Sequence, residues 1–351
     1  MTPRKRQRVR KIALTGLVGG LFAVASVAIA SDPLEDVRRF SDFAATDLHH
    51  VLDGDILGAR GSLMHFPNGL SAQTCFVAPE EAAETVRRLL VWDPLAHDAL
   101  NVFAYQPMRG PSEITDFQSL NLKSRQGSIR WLLDKTLATT ADTSDLNLTR
   151  AEAQQLANCA RSNPDPQEIG ACWGELLQER AAAFQREGFD GLPPYEANGV
   201  TVSPGAQLRE MLRDQPAVAR QFATLLRQSG LLGGERDGAL TPTRYWTLFE
   251  ANHHATLSLG AIYVLPQDDH YQLMDVQYYV SGKYYAAATL SEIWPIQIGD
   301  KPGALVWRGD FVAAPTLAFT RGTDRMIYAA ILLHEIKKVV HCFQDDLKLK
   351  H

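Results

Sequence analysis

Apolar side chains recur along this chain with two different periods, and the switches between them divide it into three stretches. From Leu34 to Leu52, Val37, Phe40, Leu48 and Val51 fall near helical spacing, which predicts a helical lead-in. The period then drops to two. Ile56 to Phe66 and Leu70 to Ala78 read as strands flanking Pro67-Asn68-Gly69, where Asn-Gly supplies the positive φ of a tight hairpin. Pro79-Glu80-Glu81 opens a helix with proline and carboxylates in its first turn, running to Trp92 before Asp93-Pro94 ends it. Leu100 to Tyr105 reads as another strand.

From Pro111 to Gly238 the pattern is helical. Ser128 to Leu137, Thr149 to Ala160, Gln167 to Arg186, Pro204 to Leu212 and Pro216 to Gln228 are each bounded by Pro, Gly or Asn, and Thr149 with Glu152 has capping-box spacing. Strands return after Tyr245-Trp246. Ala255 to Leu265, Gln272 to Val280, Tyr284 to Trp294 and Ala304 to Phe311 are separated by short turns at Asp268-Asp269, Ser281-Gly282 and Gly299-Asp300, so consecutive strands must pair antiparallel. The last helix runs from Asp324 to Leu347, with Ile327, Ile331, Ile336, Val339, Val340, Phe343 and Leu347 as its apolar face. The expected fold class is α+β: an antiparallel sheet packed on a long C-terminal helix, with an inserted all-helical segment at about 111–244.

A hairpin, a short helix, further antiparallel strands and a long amphipathic last helix together resemble the helix-grip architecture of START-type lipid-transfer and cyclase domains. The resemblance uses residues 53–110 and 245–351 and implies a curved sheet wrapping the last helix, with an apolar cavity between them. Over nearly the whole length that follows the basic head and the uncharged run ending at Ala30, the chain is also similar to exported bacterial proteins of unknown function. The matching features are Tyr278-Tyr279-x-Ser281-x-x-Tyr284-Tyr285, Leu305-Val306-Trp307-Arg308, the helix after Gly322, and Cys159 near Cys172. None of these is a catalytic signature, so the resemblance implies a fold and no activity.

Composition places this fold. Arg4, Lys5, Arg6, Arg8, Arg10 and Lys11 precede an uncharged run from Ile12 to Ala30 that ends in Ala28-x-Ala30, the form of a secretory signal peptide cut after Ala30. The other reading of that run is a retained membrane anchor. The first 30 residues hold six basic and no acidic side chains, so residues 31–351 carry 29 Lys plus Arg against 40 Asp plus Glu, a formal charge of −11. That balance disfavours nucleic acid as a partner and argues against anionic lipid as the main one. The expectation is a single α+β domain over 31–351, periplasmic or secreted, with no stable membrane span after cleavage. In an oxidising compartment Cys159 and Cys172, flanking the turn-rich Ser162 to Pro166, are placed for a disulfide, while Cys75 and Cys342 read as core.

Candidate chemistry is sparse. No nucleophile elbow, phosphate loop or zinc helix motif occurs, so no catalytic set, metal site or cofactor is expected. His334 and His341 lie two helical turns apart, too far to share one metal. Tyr278, Tyr284, Trp294 and Trp307 on the strands, with Ile336 and Phe343 on the last helix, are the expected lining of a cavity for a hydrophobic or amphipathic small molecule. Alternation sends Tyr278 and Tyr284 to one side of their strands, and Tyr279 and Tyr285 to the other. Arg308 with Asp310, and Asp275, are the candidate buried charges. Two other functions fit the same sequence: a hydrolase or lyase using Tyr284, Asp275 or His254 as acid or base, and a cell-envelope interaction module docking through the helical insertion.

Overall fold

The computed structural model describes residues 32–348, except Arg125, Ser162, Asn163, Asn198 and Glu235; the expected leader and its cleavage site lie outside these residues. Among the described residues, the helices are α1 (Pro33–Phe40), α2 (His49–Leu52), α3 (Ala82–Leu90), α4 (Gly127–Leu137), α5 (Arg150–Ala160), α6 (Pro166–Glu187), α7 (Pro204–Arg213), α8 (Pro216–Gln221), α9 (Ala223–Gln228) and α10 (Thr323–Lys348). The strands are β1 (Leu57–Arg60), β2 (Gly69–Ala78), β3 (Val102–Met108), β4 (Tyr195–Ala197), β5 (Val200–Val202), β6 (Thr243–Ala251), β7 (His254–Pro266), β8 (Tyr271–Val280), β9 (Ala286–Ile298) and β10 (Lys301–Ala313). The fold is α+β.

Eight strands make one antiparallel sheet in the order β1-β2-β10-β9-β8-β7-β6-β3, and β4 pairs with β5 apart from it. The meander from β6 to β10 fills the space between β2 and β3. Its short turns enforce antiparallel neighbours, and β10 closes against β2 from Ala304↔Ala78 to Ala313↔Gly69. Between β2 and β3 the chain crosses the sheet, with α3 against β8, β9 and β10. The helical segment leaves from β3 and returns into β6, its partner in the sheet, so this long excursion disturbs no strand pairing.

Several boundaries differ from the sequence pattern. The lead-in is two helices, because the Asp47 carboxylate and Ser41 hydroxyl accept from nearby backbone N–H groups and offer the chain an alternative to helix. No tight hairpin joins β1 to β2. Residues 61–68 form a loop whose donors are taken elsewhere, Ser62 N by Asp42 and Phe66 N by Asp214, each at 2.9 Å. The capping box forms as its spacing implies, with Glu152 N donating to Thr149 Oγ1 at 3.1 Å and Thr149 N to Glu152 Oε2 at 2.6 Å. Cys159 and Cys172 lie at disulfide distance between α5 and α6, their Cα atoms 6.7 Å apart. Cys75 is buried and Cys342 only partly so.

Strand alternation sorts the sheet into two faces. On the insertion face, Trp246, Leu259, Leu290, Leu305, Trp307 and Phe311 share one core with the inserted helices. On the opposite face, Phe76, Ile293 and Val306 cluster with Val86 of α3 and with Ile336, Val340, Phe343 and Leu347 of α10, which runs against β1 and β2. The apolar face expected along all of α10 is divided. Ile336 is 4 % exposed, whereas Ile327 and Ile331 are 52 % and 53 % exposed. Helical geometry explains this: Ile327 is two and a half turns from Ile336 and so points the opposite way.

Candidate functional site

On the α10 face, beyond the strands that α10 covers, a row of polar side chains crosses the sheet. Asp275 on β8, Thr289 on β9 and Asp310 on β10 are register partners, so their side chains stand side by side. Thr289 Oγ1 donates to Asp310 Oδ1 at 2.7 Å. Arg308, two residues from Asp310 and therefore on the same face, grips both Asp310 oxygens at 2.8 and 2.7 Å. Burial works against the Arg308 charge, and the Asp310 carboxylate more than offsets it, so the guanidinium stays protonated.

Asp275 takes its own donor from β6. Tyr245 Oη donates to Asp275 Oδ1 at 2.8 Å, reaching across β7 because its ring lies over Gly260, where any Cβ would overlap it. Tyr105 on β3 packs beside Tyr245, ring centroids 5.4 Å apart. Tyr284 donates to Gln277 on the same face. Burial pushes the Asp275 carboxyl up to about 6, against the lowering effects of the Tyr245 hydrogen bond and the Arg308 charge. Burial likewise pushes the Tyr105 hydroxyl up to about 12. Near neutral pH this face holds a carboxyl poised to exchange a proton, with protonated tyrosines around it.

A second constellation lies at the rim, where the β7–β8 turn meets the start of α3. A cleft of about 380 Å³ there is lined by Glu81, Asp268, Asp269, His270, Gln297 and Gly303, among others. His270 Nδ1 is 2.7 Å from Asp269 Oδ1 and its Nε2 2.8 Å from Glu292 Oε1, so each ring nitrogen faces a carboxylate. Glu292 is fully buried and also accepts from Gln221 Nε2 at 2.9 and 3.1 Å. Burial opposes protonation of His270, yet Glu292 and Asp269 hold its imidazolium above the ordinary histidine value. In that state both nitrogens donate, as the geometry requires.

The six residues expected to line one cavity are not brought together. Tyr278, Trp294 and Trp307 lie in the insertion-face core, where Tyr278 stacks on Phe184 at 3.9 Å and Trp307 meets Phe40 edge-on at 4.8 Å. Ile336 and Phe343 belong to the cluster on the other face, and Tyr284 points to that face through Gln277. Tyr278 and Tyr284 therefore part company. A bulge at Leu259/Gly260, which pairs Leu259 with Tyr279 but Gly260 with Gln277, lets Tyr278 and Tyr279 both enter the insertion-face core. Arg180 lies over the Tyr279 ring at 4.3 Å and pairs with Glu152 at 2.6 Å, a buried structural ion pair. His254 sits apart from Asp275, its ring edge-on to Trp131 at 4.2 Å and its Nδ1 2.6 Å from Asn252 O. His334 and His341 are exposed.

Sequence reasoning picked out Asp275, Arg308, Asp310 and Tyr284, and missed Tyr245, Tyr105 and Glu292. Gly260 was the available signal, since an isolated glycine inside a strand marks close approach of another group. No family model, curated protein or solved structure matches this chain, so the reading of its function rests on this geometry alone.

Proposed function

We propose that the α10 face of the sheet binds an amphipathic small molecule, in an exported protein of helix-grip-like architecture. The polar end of the ligand meets Asp275, Tyr245 and Arg308, and its apolar part lies along the half-buried Ile262, Val264, Leu332 and Leu333. The observation that carries this reading is the polar row that the helices leave partly open: α10 runs against β1 and β2 and α3 against β8, β9 and β10, while Asp275 on β8, Arg308 on β10, Tyr105 on β3 and Tyr284 in the β8–β9 connection are only half-buried. A protein that needed this face only for stability gains by covering it with apolar side chains. The chain order supports the architecture: β2, a crossing helix, β3, then a meander returning to β2 before a long last helix is what the helix-grip resemblance implies. The Cys159–Cys172 pair suits an oxidising compartment.

Native mass spectrometry of protein purified from an exporting host tests the reading. A co-purifying amphiphile is expected, and Ile262→Trp, which fills the open face, abolishes its retention while the protein stays folded. A ligand-free spectrum, or retention unchanged by Ile262→Trp, overturns it. A second reading, acid–base chemistry at the same place, is favoured by the Asp275–Tyr245 pair: two titratable groups 2.8 Å apart, with Asp275 near 6. Turnover that falls to background in Asp275→Asn is its signature.

A further inference from the structure

The outer side of α10 carries a feature that the sheet face does not explain. Met326, Ile327, Tyr328 and Ile331 are exposed, and Phe319, just before the helix, is 87 % exposed. Ile327 and Ile331 lie one turn apart, directly opposite the side seated on the sheet, so they form a stripe facing solvent rather than the edge of an internal cavity. Scattered apolar residues need no explanation, but a contiguous stripe beside two exposed aromatics does.

The surrounding charge says what covers it. Arg60, Arg321, Arg325 and Lys337 have no carboxylate within ion-pair distance among the described residues. Arg325 donates instead to the carbonyls of Phe66, Pro67, Gly69 and Leu317, and of the carboxylates only Asp214, beyond ion-pair distance, acts on its charge. Lys337 packs against Gly58, two residues along β1 from the exposed Arg60. Between Pro315 and His334 the sequence holds one carboxylate, Asp324, in a chain whose net charge is −5. An acidic protein has thus gathered cations without a carboxylate in ion-pair contact around an exposed apolar stripe of α10. A protein groove would have to be both apolar and acidic to fit. A bilayer with anionic headgroups offers both properties at once, with acyl chains for Phe319, Ile327 and Ile331 and phosphates for the arginines.

We propose that the N-terminal half of α10 docks on an anionic membrane surface, lying in the headgroup plane with Ile327 and Ile331 inserted. The docking does not depend on what the sheet face binds. No helix among the described residues is long and apolar enough to cross a membrane, so the contact is interfacial. The summed charge of residues 31–351 argued against anionic lipid because it averages over this patch.

Co-flotation of the full chain with phosphatidylcholine vesicles, with and without phosphatidylglycerol, tests the proposal. Binding is expected only when phosphatidylglycerol is present, and it weakens as salt rises. Ile327→Ser with Ile331→Ser, both at exposed positions, lowers the affinity about tenfold or more without moving the thermal midpoint, and Arg321→Glu also lowers it. Failure to bind either vesicle overturns the proposal. So does a double variant that floats like the parent, which assigns the contact to residues 1–31. A parent dimer in sedimentation that the double variant dissolves also overturns it, because a second copy then covers the stripe.

Discussion

The Tyr245 ring lies across Gly260, and that contact is what lets a hydroxyl on β6 reach a carboxyl on β8. One missing side chain on β7 joins strands that are not neighbours. Gly260→Ala is therefore expected to displace the Tyr245 ring and destabilise the fold by about 1–3 kcal/mol, the usual cost of overpacking. Urea unfolding measures the loss, and an NMR titration should show the Asp275 pKa moving as its hydrogen bond is lost.

Asp275 makes stability depend on pH with an unusual sign. Its folded pKa, about 6, lies above the ordinary carboxylate value of 3.8, so the folded state holds the proton more tightly than the unfolded chain. Stability is greatest where both states are protonated, falls as the pH rises from about 4 to 6, and then levels off. Asp275→Asn removes that penalty while keeping an acceptor for Tyr245. The variant should gain about 1–3 kcal/mol over the parent at pH 8 and almost nothing at pH 3. Denaturant midpoints at the two pH values check this, and a gain at acid pH instead would invert the assignment.

His270 works with the opposite sign. Its pKa is raised by two carboxylates, so its contribution is fully present below the unfolded histidine value and is lost as the pH rises through the folded one. His270→Ala strips a charge-assisted donor from the buried Glu292, and is expected to cost about 1.5–3 kcal/mol at pH 6. The cost should shrink at pH 9, where the parent has lost the same proton. Equal penalties at both pH values would mean that the ring acts only by packing.

The periodicities made the element order legible, and the places where they misled have physical causes. β6 was missed as a strand because Tyr245, Trp246, Leu248 and Phe249 are packed on both faces between β3 and β7, which erases alternation. Tyr279 was expected on the opposite side from Tyr278, but a bulge, which breaks the two-residue period without a marker in sequence, turns it into the same core as Met274, Val276 and Tyr278. The polar row was half legible. Arg308 and Asp310 are two residues apart on one strand and announce themselves, but Tyr245 meets Asp275, and Gln221 meets Glu292, across separations of 30 and 71 residues. Pairings of that range depend on strand order, which residue spacing does not encode.

The two ends of α10 offer a direct comparison, since Ile327 and Ile336 are the same residue type on one helix and share similar local propensity. Ile336 is packed with Phe76, Val306 and Phe343, so Ile336→Ala leaves a cavity and should cost about 2–5 kcal/mol. Ile327 has little to lose. Its substitution by Ala removes an exposed side chain, improves helix propensity slightly, and should change stability by less than about 0.5 kcal/mol. Urea midpoints of the two variants give the contrast in one experiment. Equal costs would show that the helix is rotated from the orientation described, which would place Ile327 and Ile331 against the protein and remove the surface assigned to the membrane.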